Sequence, residues 1–271
     1  GLGDVYKRQA LKQRQIGTLR IIDLAAGSGA NFRALAPLLD GDQLWSLVDH
    51  DPALLDAQAA ETLRWAADGG WDGVSSEAGV TVQAGAMTWR ARPQQLDLAH
   101  ALQELDFSAC DAVTTTAFLD LVSADWIDRF CAQLVRAQRP LFATLTVDGR
   151  RTWQPAHAAD AGIAAVFARH QGGDKGFGNA LGATAADYLA QQLSAAGYAV
   201  SSARSDWRLG AAHGALLRRM ADEAVAVARE SNPSAAARYA DWLAQRNAQI
   251  DAGALSLTVG HLDLLALPPA R

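Results

Sequence analysis

Two carboxylates and a run of small residues stand in a spacing that suits ligand binding. Asp23 closes the apolar run Arg20-Ile21-Ile22-Asp23, and Leu24-Ala25-Ala26-Gly27-Ser28-Gly29 leads into a helix-like pattern. Asp49 ends a second apolar run, twenty positions after Gly29. Glycines in a strand-to-helix turn let the backbone approach a ligand without a Cβ clash. The helix that follows aims its free N–H groups at the ligand. A carboxylate ending the next strand can accept hydrogen bonds from paired hydroxyls; read alone, Asp49 is equally a helix cap, since Asp51-Pro52 follow. A third group is ARHQGGDKGFGNALG, residues 168–182, where His170, Asp174 and Lys175 stand among glycines. Lys175, the one lysine beyond residue 12, suits an anionic group. His170 suits proton transfer from a hydroxyl or amine. The same segment also reads as an ordinary solvated loop.

The elements that must position these residues alternate. LRIIDLA reads as a buried strand and ANFRALAPLL as a helix. QLWSLVD is a strand, and PALLDAQAAETLRWAAD a helix with Pro52 at a permitted first-turn position. GVTVQAGAMTW reads as a third strand with its exit loop, and QQLDLAHALQEL as a short amphipathic helix. DAVTTTAF is a fourth strand, SADWIDRFCAQLVRA a helix capped by Ser123, and PLFATLTVDG a fifth strand. This βα rhythm predicts a doubly wound, mostly parallel α/β sheet. TAADYLAQQLSAAG then reads as a helix closed by Gly197, YAVSSARSDWRL as a sixth strand and LSLTVGHLDLLALP as a last one. Two helical stretches separated by SNPS occupy 212–250. Residues 16–271 are expected as one domain, with insertions at 150–180 and 210–252 forming a substrate cap. Residues 1–15, opening GLGDVYKRQ without a Met, resemble a translated adapter and are expected as a non-native or disordered tail.

The glycine turn matches neither common phosphate motif. In a dinucleotide fingerprint the third glycine would fall at Phe32, too bulky for close helix–strand packing. No Gly-Lys-Ser/Thr follows, so a P-loop is absent. Asp23-Leu24-Ala25-Ala26-Gly27-Ser28-Gly29 instead resembles the first motif of the class I S-adenosylmethionine (SAM) methyltransferases, an acidic residue followed by G-x-G-x-G, with Ala25 in place of the first glycine. LWSLVDHDPALL resembles their second motif. The resemblance spans roughly residues 19–268, and its first two motifs are the specific ones. It implies the family's Rossmann-like, seven-stranded sheet with a late hairpin and a helical insertion near the C-terminus. It also implies SAM as cofactor and a transferred methyl group. Asp23 would orient the SAM amino group, and Ala25, Gly27, Ser28 and Gly29 would line its methionine part. Asp49 would hold the ribose, with His50 at its border. Met87 would pack on the adenine, Thr88 would supply a polar contact there, and Thr114 would lie at the end of the fourth strand.

SAM carries its own electrophile, so no universal catalytic residue is required. Several subclasses lack their signatures. The place of the Asp/Asn-Pro-Pro-aromatic motif of DNA amino-methyltransferases reads Thr114-Thr115-Thr116-Ala117-Phe118, and neither Cys110 nor Cys131 follows a proline. Asp120 and Asp148 find no third ligand for a catechol-type metal site, so no metal is expected. The substrate candidates are Phe118, Lys175 and Phe177, with His170 the candidate base.

Half of the residues are hydrophobic and the net charge is −5, which suits a globular protein and disfavours broad electrostatic binding to nucleic acid or anionic membrane. No apolar run reaches membrane-span length. Two cysteines without metal or disulfide spacing read as free thiols, and a cytoplasmic location is expected. The expected function is therefore methyl transfer from SAM to a small-molecule nucleophile. A non-catalytic SAM- or nucleotide-binding module is the alternative, and a nicotinamide-dependent oxidoreductase a remoter one. The acceptor atom and the oligomeric state are not legible.

Overall fold

The structure is a computed structural model that describes residues 17–270. The expected N-terminal tail, residues 1–15, lies outside the described residues. One sheet of ten strands organises them, in the order β3-β4-β5-β2-β1-β6-β7-β10-β8, with β9 beside β10. The strands are β1 (Leu19–Leu24), β2 (Gln43–Asp49), β3 (Asp72–Ser76), β4 (Gly79–Ala84), β5 (Met87–Gln95), β6 (Ala112–Thr116), β7 (Leu141–Gln154), β8 (Ala199–Arg204), β9 (Trp207–Leu209) and β10 (Ser256–Leu267). The central run β5-β2-β1-β6-β7 is parallel, and β10 returns antiparallel between β7 and β8. Strand order reverses between β1 and β6, which opens a crevice at the carboxyl ends of those two strands.

Helices cover both faces. α1 (Ala30–Leu35) and α2 (Pro52–Asp68) pack on one face, where Phe32 and Ala66 meet Trp45, Leu47 and Trp89 in one buried cluster. α3 (Ala124–Ala137) and α5 (Ala185–Ala195) pack on the other, against Val113, Leu141 and Ala143. The expected Ser123 cap forms, accepting from Trp126 N at the start of α3, and at the start of α2 the Asp51 side chain accepts from Ala53 N. Capping thus falls to Asp51, not to Asp49.

A third cluster is built from α4 (Asp160–Gln171), α6 (Gly214–Ser231), α7 (Ala236–Asp251) and the long ends of β7 and β10. Thr116, the last residue of β6, pairs with Thr144, so β7 runs ten residues further on the side where the parallel strands end. The helical layer stands on that extension, with Trp153, Ile163, Leu217, Trp242 and Leu257 at its centre. Arg246 is fully buried within it. Its Nη2 donates to Asp160 Oδ1 at 2.5 Å and its Nη1 to Pro155 O at 2.7 Å.

Several elements differ from expectation. GVTVQAGAMTW is a hairpin: β4 and β5 turn at Gly85, whose φ is 63°. The third parallel strand is β5, which continues through Pro93 to Gln95. QQLDLAHALQEL is not an amphipathic helix. It contains the end of β5 and a single 3-10 turn, Leu102–Glu104, because Asp97 accepts from Ala99 N and binds His100 Nδ1, competing with helical hydrogen bonds. Residues 160–171, within the insertion expected at 150–180 and given no element of their own, form α4. Seven strands form the core of the sheet, the expected number; YAVSSARSDWRL, expected as one strand, divides into β8 and β9, and the β3–β4 hairpin is added at one edge.

Candidate functional site

β1 and β2 are in register, with Leu24 beside Val48, so the glycine turn and Asp49 leave the sheet side by side. The turn is unusual in its backbone. Ala25 has φ 52° and Gly27 φ 52°. A Cβ on Gly27 would meet no atom within 4 Å, so space stands open over this peptide. Ala25 adopts the left-handed conformation with its Cβ in place, at an intrinsic cost of about 1 kcal/mol. Its neighbours hold that peptide run firmly. Asp49 Oδ2 accepts from Gly27 N at 2.8 Å, while Gln58 of α2 donates to Gly27 O at 2.7 Å. Arg33 Nη1 donates to Ser28 O at 2.5 Å.

Asp49 is 5% exposed, and its other oxygen accepts from Asp51 N at 3.0 Å. Each carboxylate oxygen retains a second lone pair for a ligand hydroxyl. His50 is exposed and places Nδ1 3.4 Å from Asp49 Oδ1.

Asp23 lies one strand over and is fully buried. Asn31, in the first turn of α1, donates to its Oδ1 at 2.7 Å and also reaches Thr114 Oγ1 at 3.1 Å. Asp23 Oδ2 has no hydrogen-bond partner. Burial raises the carboxyl to about 7, the Asn31 bond opposes this, and the Asp49 charge adds to it. A buried carboxylate oxygen without a donor is expensive. It is the kind of feature a cation-bearing ligand would relieve.

Other candidate residues fall elsewhere. Thr114 pairs with Asp23, but its hydroxyl donates to Phe142 O at 2.8 Å and is committed within the sheet. Met87 and Thr88 begin β5, at the end of the sheet remote from the glycine turn. Thr88 N donates there to Asp42 Oδ1, just before β2. They stand apart from the site because the third strand was placed one hairpin too early in the chain. The carboxyl end of β5 lies beside Asp49 instead: Gln95 pairs with Asp49, and Leu96 N donates to Asp49 O at 2.9 Å. Asp97 follows directly. An acid after the third strand was thus visible in the sequence once that strand is set correctly. Asn31 and Gln58 were missed as well; the one signal was a polar residue on the inward face of each helix.

Phe118 is 4% exposed and packs edge-on against Trp126, so it belongs to the core. Phe177 descends from the glycine loop onto both rings, with centroids 5.3 Å from Phe118 and 6.0 Å from Trp126. Leu181 N donates to Val122 O, which ties the far end of the loop beside the end of β6. Lys175 and His170 are exposed on this loop and on the last turn of α4. Asp174 accepts from Gly176 N and Gly178 N and stiffens the loop. No group of three or more His, Cys, Asp or Glu arranged for a metal occurs among the described residues. None of their helices is long and apolar enough to cross a membrane.

No family model matches the chain, and no curated protein does. Solved structures do match. A protein assigned as a methyltransferase, BH2331 from Bacillus halodurans C-125, is 12% identical with a TM-score of 0.52, both chains being covered completely. The YcgJ protein from Bacillus subtilis is 11% identical with a TM-score of 0.50, again over 100% of each chain. The cyclopropane synthase MmaA2 from Mycobacterium tuberculosis is 11% identical with a TM-score of 0.46, over 97% of this chain and 83% of its own. With its parallel core, its antiparallel β10 and its glycine turn at the switch point, the chain has the Rossmann-like fold of the class I SAM-dependent methyltransferases.

Proposed function

We propose that this protein binds SAM at the carboxyl ends of β1, β2 and β5 and transfers its methyl group to a small-molecule nucleophile. One observation carries the reading. Two buried carboxylates, Asp23 and Asp49, flank a glycine turn with open space above it, and Asp23 Oδ2 lacks a donor. A ligand that brings both a cationic amine and a pair of ribose hydroxyls matches this pair, and SAM has both groups. The fully buried Phe32, packed edge-on against Trp45 at 5.4 Å, stands where a dinucleotide fingerprint needs its third glycine.

The bound cofactor supplies an electrophilic methyl on a sulfonium. The chain's residues bind and align it. Asp23 accepts the ammonium and Asp49 the ribose hydroxyls. The Gly27 peptide, pinned on both sides by Asp49 and Gln58, keeps the turn in one conformation for the methionine part. Gln95 to Asp97 line the place for the adenine. The helical layer of α4, α6 and α7 and the Phe177-anchored loop stand on the side where water must be excluded. No universal proton acceptor is needed for this chemistry. His170 and Lys175 are proposed to face the acceptor from the rim, His170 as base and Lys175 toward an anionic group. The protein is proposed to act in the cytoplasm, without nucleic-acid or membrane partners.

Calorimetric titration with SAM and S-adenosylhomocysteine tests the proposal. Micromolar binding is expected. Asp49→Asn keeps an acceptor for Gly27 N but loses charge-assisted bonding, so it should weaken SAM by about 2–3 kcal/mol, roughly 30- to 150-fold. Wild-type affinity weaker than about 1 mM, or an unchanged affinity in the variant, would overturn the assignment.

A further inference from the structure

β6 ends beside the glycine turn, with Thr115 paired to Leu24. The chain then passes through Ala117, at φ 51°, into the 3-10 turn Leu119–Leu121. Phe118, Leu119 and Val122 are built into the core, which fixes the turn in place. Between them stands Asp120, 7% exposed. It was dismissed as a metal ligand for want of companions, and the cofactor reading does not use it.

The charged groups of the surrounding elements do not neutralise it. β7, α5 and the 3-10 turn Gly182–Thr184 lie against the Asp120 turn. Gly182–Thr184 carries no charge. α5 brings Asp187, and Tyr188, whose hydroxyl donates to Asp128. On β7, Arg150 is bound by Asp148 and Asp206, and Arg151 donates to Met220 O and lies 4.4 Å over the Phe167 ring. Lys175, on the nearby loop, and His170, in the last turn of α4, are exposed. The bond that supports the Asp120 carboxylate is to its own backbone N–H. Burial pushes its carboxyl above the usual range. A carboxylate buried without a counter-charge, in the turn that leaves β6 beside the glycine turn, is a candidate functional group.

We infer that Asp120 receives the methyl acceptor, and that the acceptor is an amine. The inference rests on the proposed SAM site, whose methyl-bearing end would lie between the glycine turn and the end of β6. An amine arrives as an ammonium ion and is held by the carboxylate charge. It gives one proton to Asp120, which frees the nitrogen lone pair. The nitrogen–carbon bond forms as the carbon–sulfur bond breaks, the electron pair stays on sulfur, and the methylated product carries the positive charge. An alcohol or thiol acceptor would bring no charge to offset the burial.

The test needs no substrate. Sinefungin carries an amine where SAM carries its methyl sulfonium, and S-adenosylhomocysteine carries neither. The two share the amino acid and ribose groups that Asp23 and Asp49 would hold, so their affinity ratio isolates the methyl position. In mildly alkaline buffer the wild type should prefer sinefungin by at least about tenfold, the scale of one buried charge pair. Asp120→Asn and Asp120→Ser should bring the ratio close to one while S-adenosylhomocysteine binds as before. The wild-type preference should also grow with pH as Asp120 ionises. A wild type without preference overturns the inference even if both variants fail to fold, and so does a preference that survives in a folded variant. Binding of neither analogue to the wild type overturns the SAM site itself.

Discussion

The ionisation of Asp23 offers a quantitative check on the site. Its carboxyl is raised from 3.8 to about 7, chiefly by burial, with Asn31 opposing and Asp49 adding. The unfolded chain sheds this proton near 3.8, whereas the folded chain holds it to about 7. Within that window the folded state binds one proton more, so stability falls as pH rises and is lowest above the window. The difference is roughly three tenfold steps in proton affinity, each about 1.4 kcal/mol, or about 4 kcal/mol in all. Asp23→Asn keeps the shape and the acceptor for Asn31 but cannot ionise. Urea denaturation of the ligand-free protein at several pH values between about 4 and 8 reads the effect. The wild type should lose about 3–5 kcal/mol more than the variant across that range, and the variant should be the more stable of the two at the alkaline end. SAM should then stabilise the wild type more than the variant, because its ammonium offsets a charge only the wild type has. Parallel stability curves for the two proteins would refute the reasoning, since they would mean that Asp23 is hydrated or paired.

Further outcomes follow from other positions. Ala25→Gly relieves a left-handed backbone at φ 52° and should stabilise the fold by up to about 1 kcal/mol, seen as a Tm rise of about 2–4 °C in a melting scan. Arg246→Leu leaves the Asp160 carboxylate without its buried partner, 2.5 Å away. It should cost about 3–5 kcal/mol, read as early unfolding of α4, α6 and α7 by hydrogen exchange. Lys175→Ala and His170→Ala should each lower turnover on an accepted substrate while SAM affinity stays within a few-fold. Wild-type rates in both would reduce that loop to ordinary surface.

Local chemistry determined much of this protein in advance. Apolar, β-branched runs marked β1, β2, β6 and β7. Ser123 announced the start of its helix, and the Asp23-to-Gly29 spacing announced a glycine turn between β1 and α1. These features are legible because each depends on residues within a few positions of one another. What failed depended on distant partners. Arg90, Arg92 and Pro93 were given no element, yet β5 is held as a strand by its parallel neighbour β2, so Met87 and Thr88 were carried to the wrong end of the sheet. Phe118 and Phe177 read as substrate contacts until folding packed them edge-on against Trp126. Asn31 and Gln58 drew no notice, and Asp120 was weighed only as a metal ligand, because a lone polar residue declares its role only once burial has removed water from around it. Burial and the absence of a counter-charge are properties of the assembled interior, and only the tertiary structure decides them.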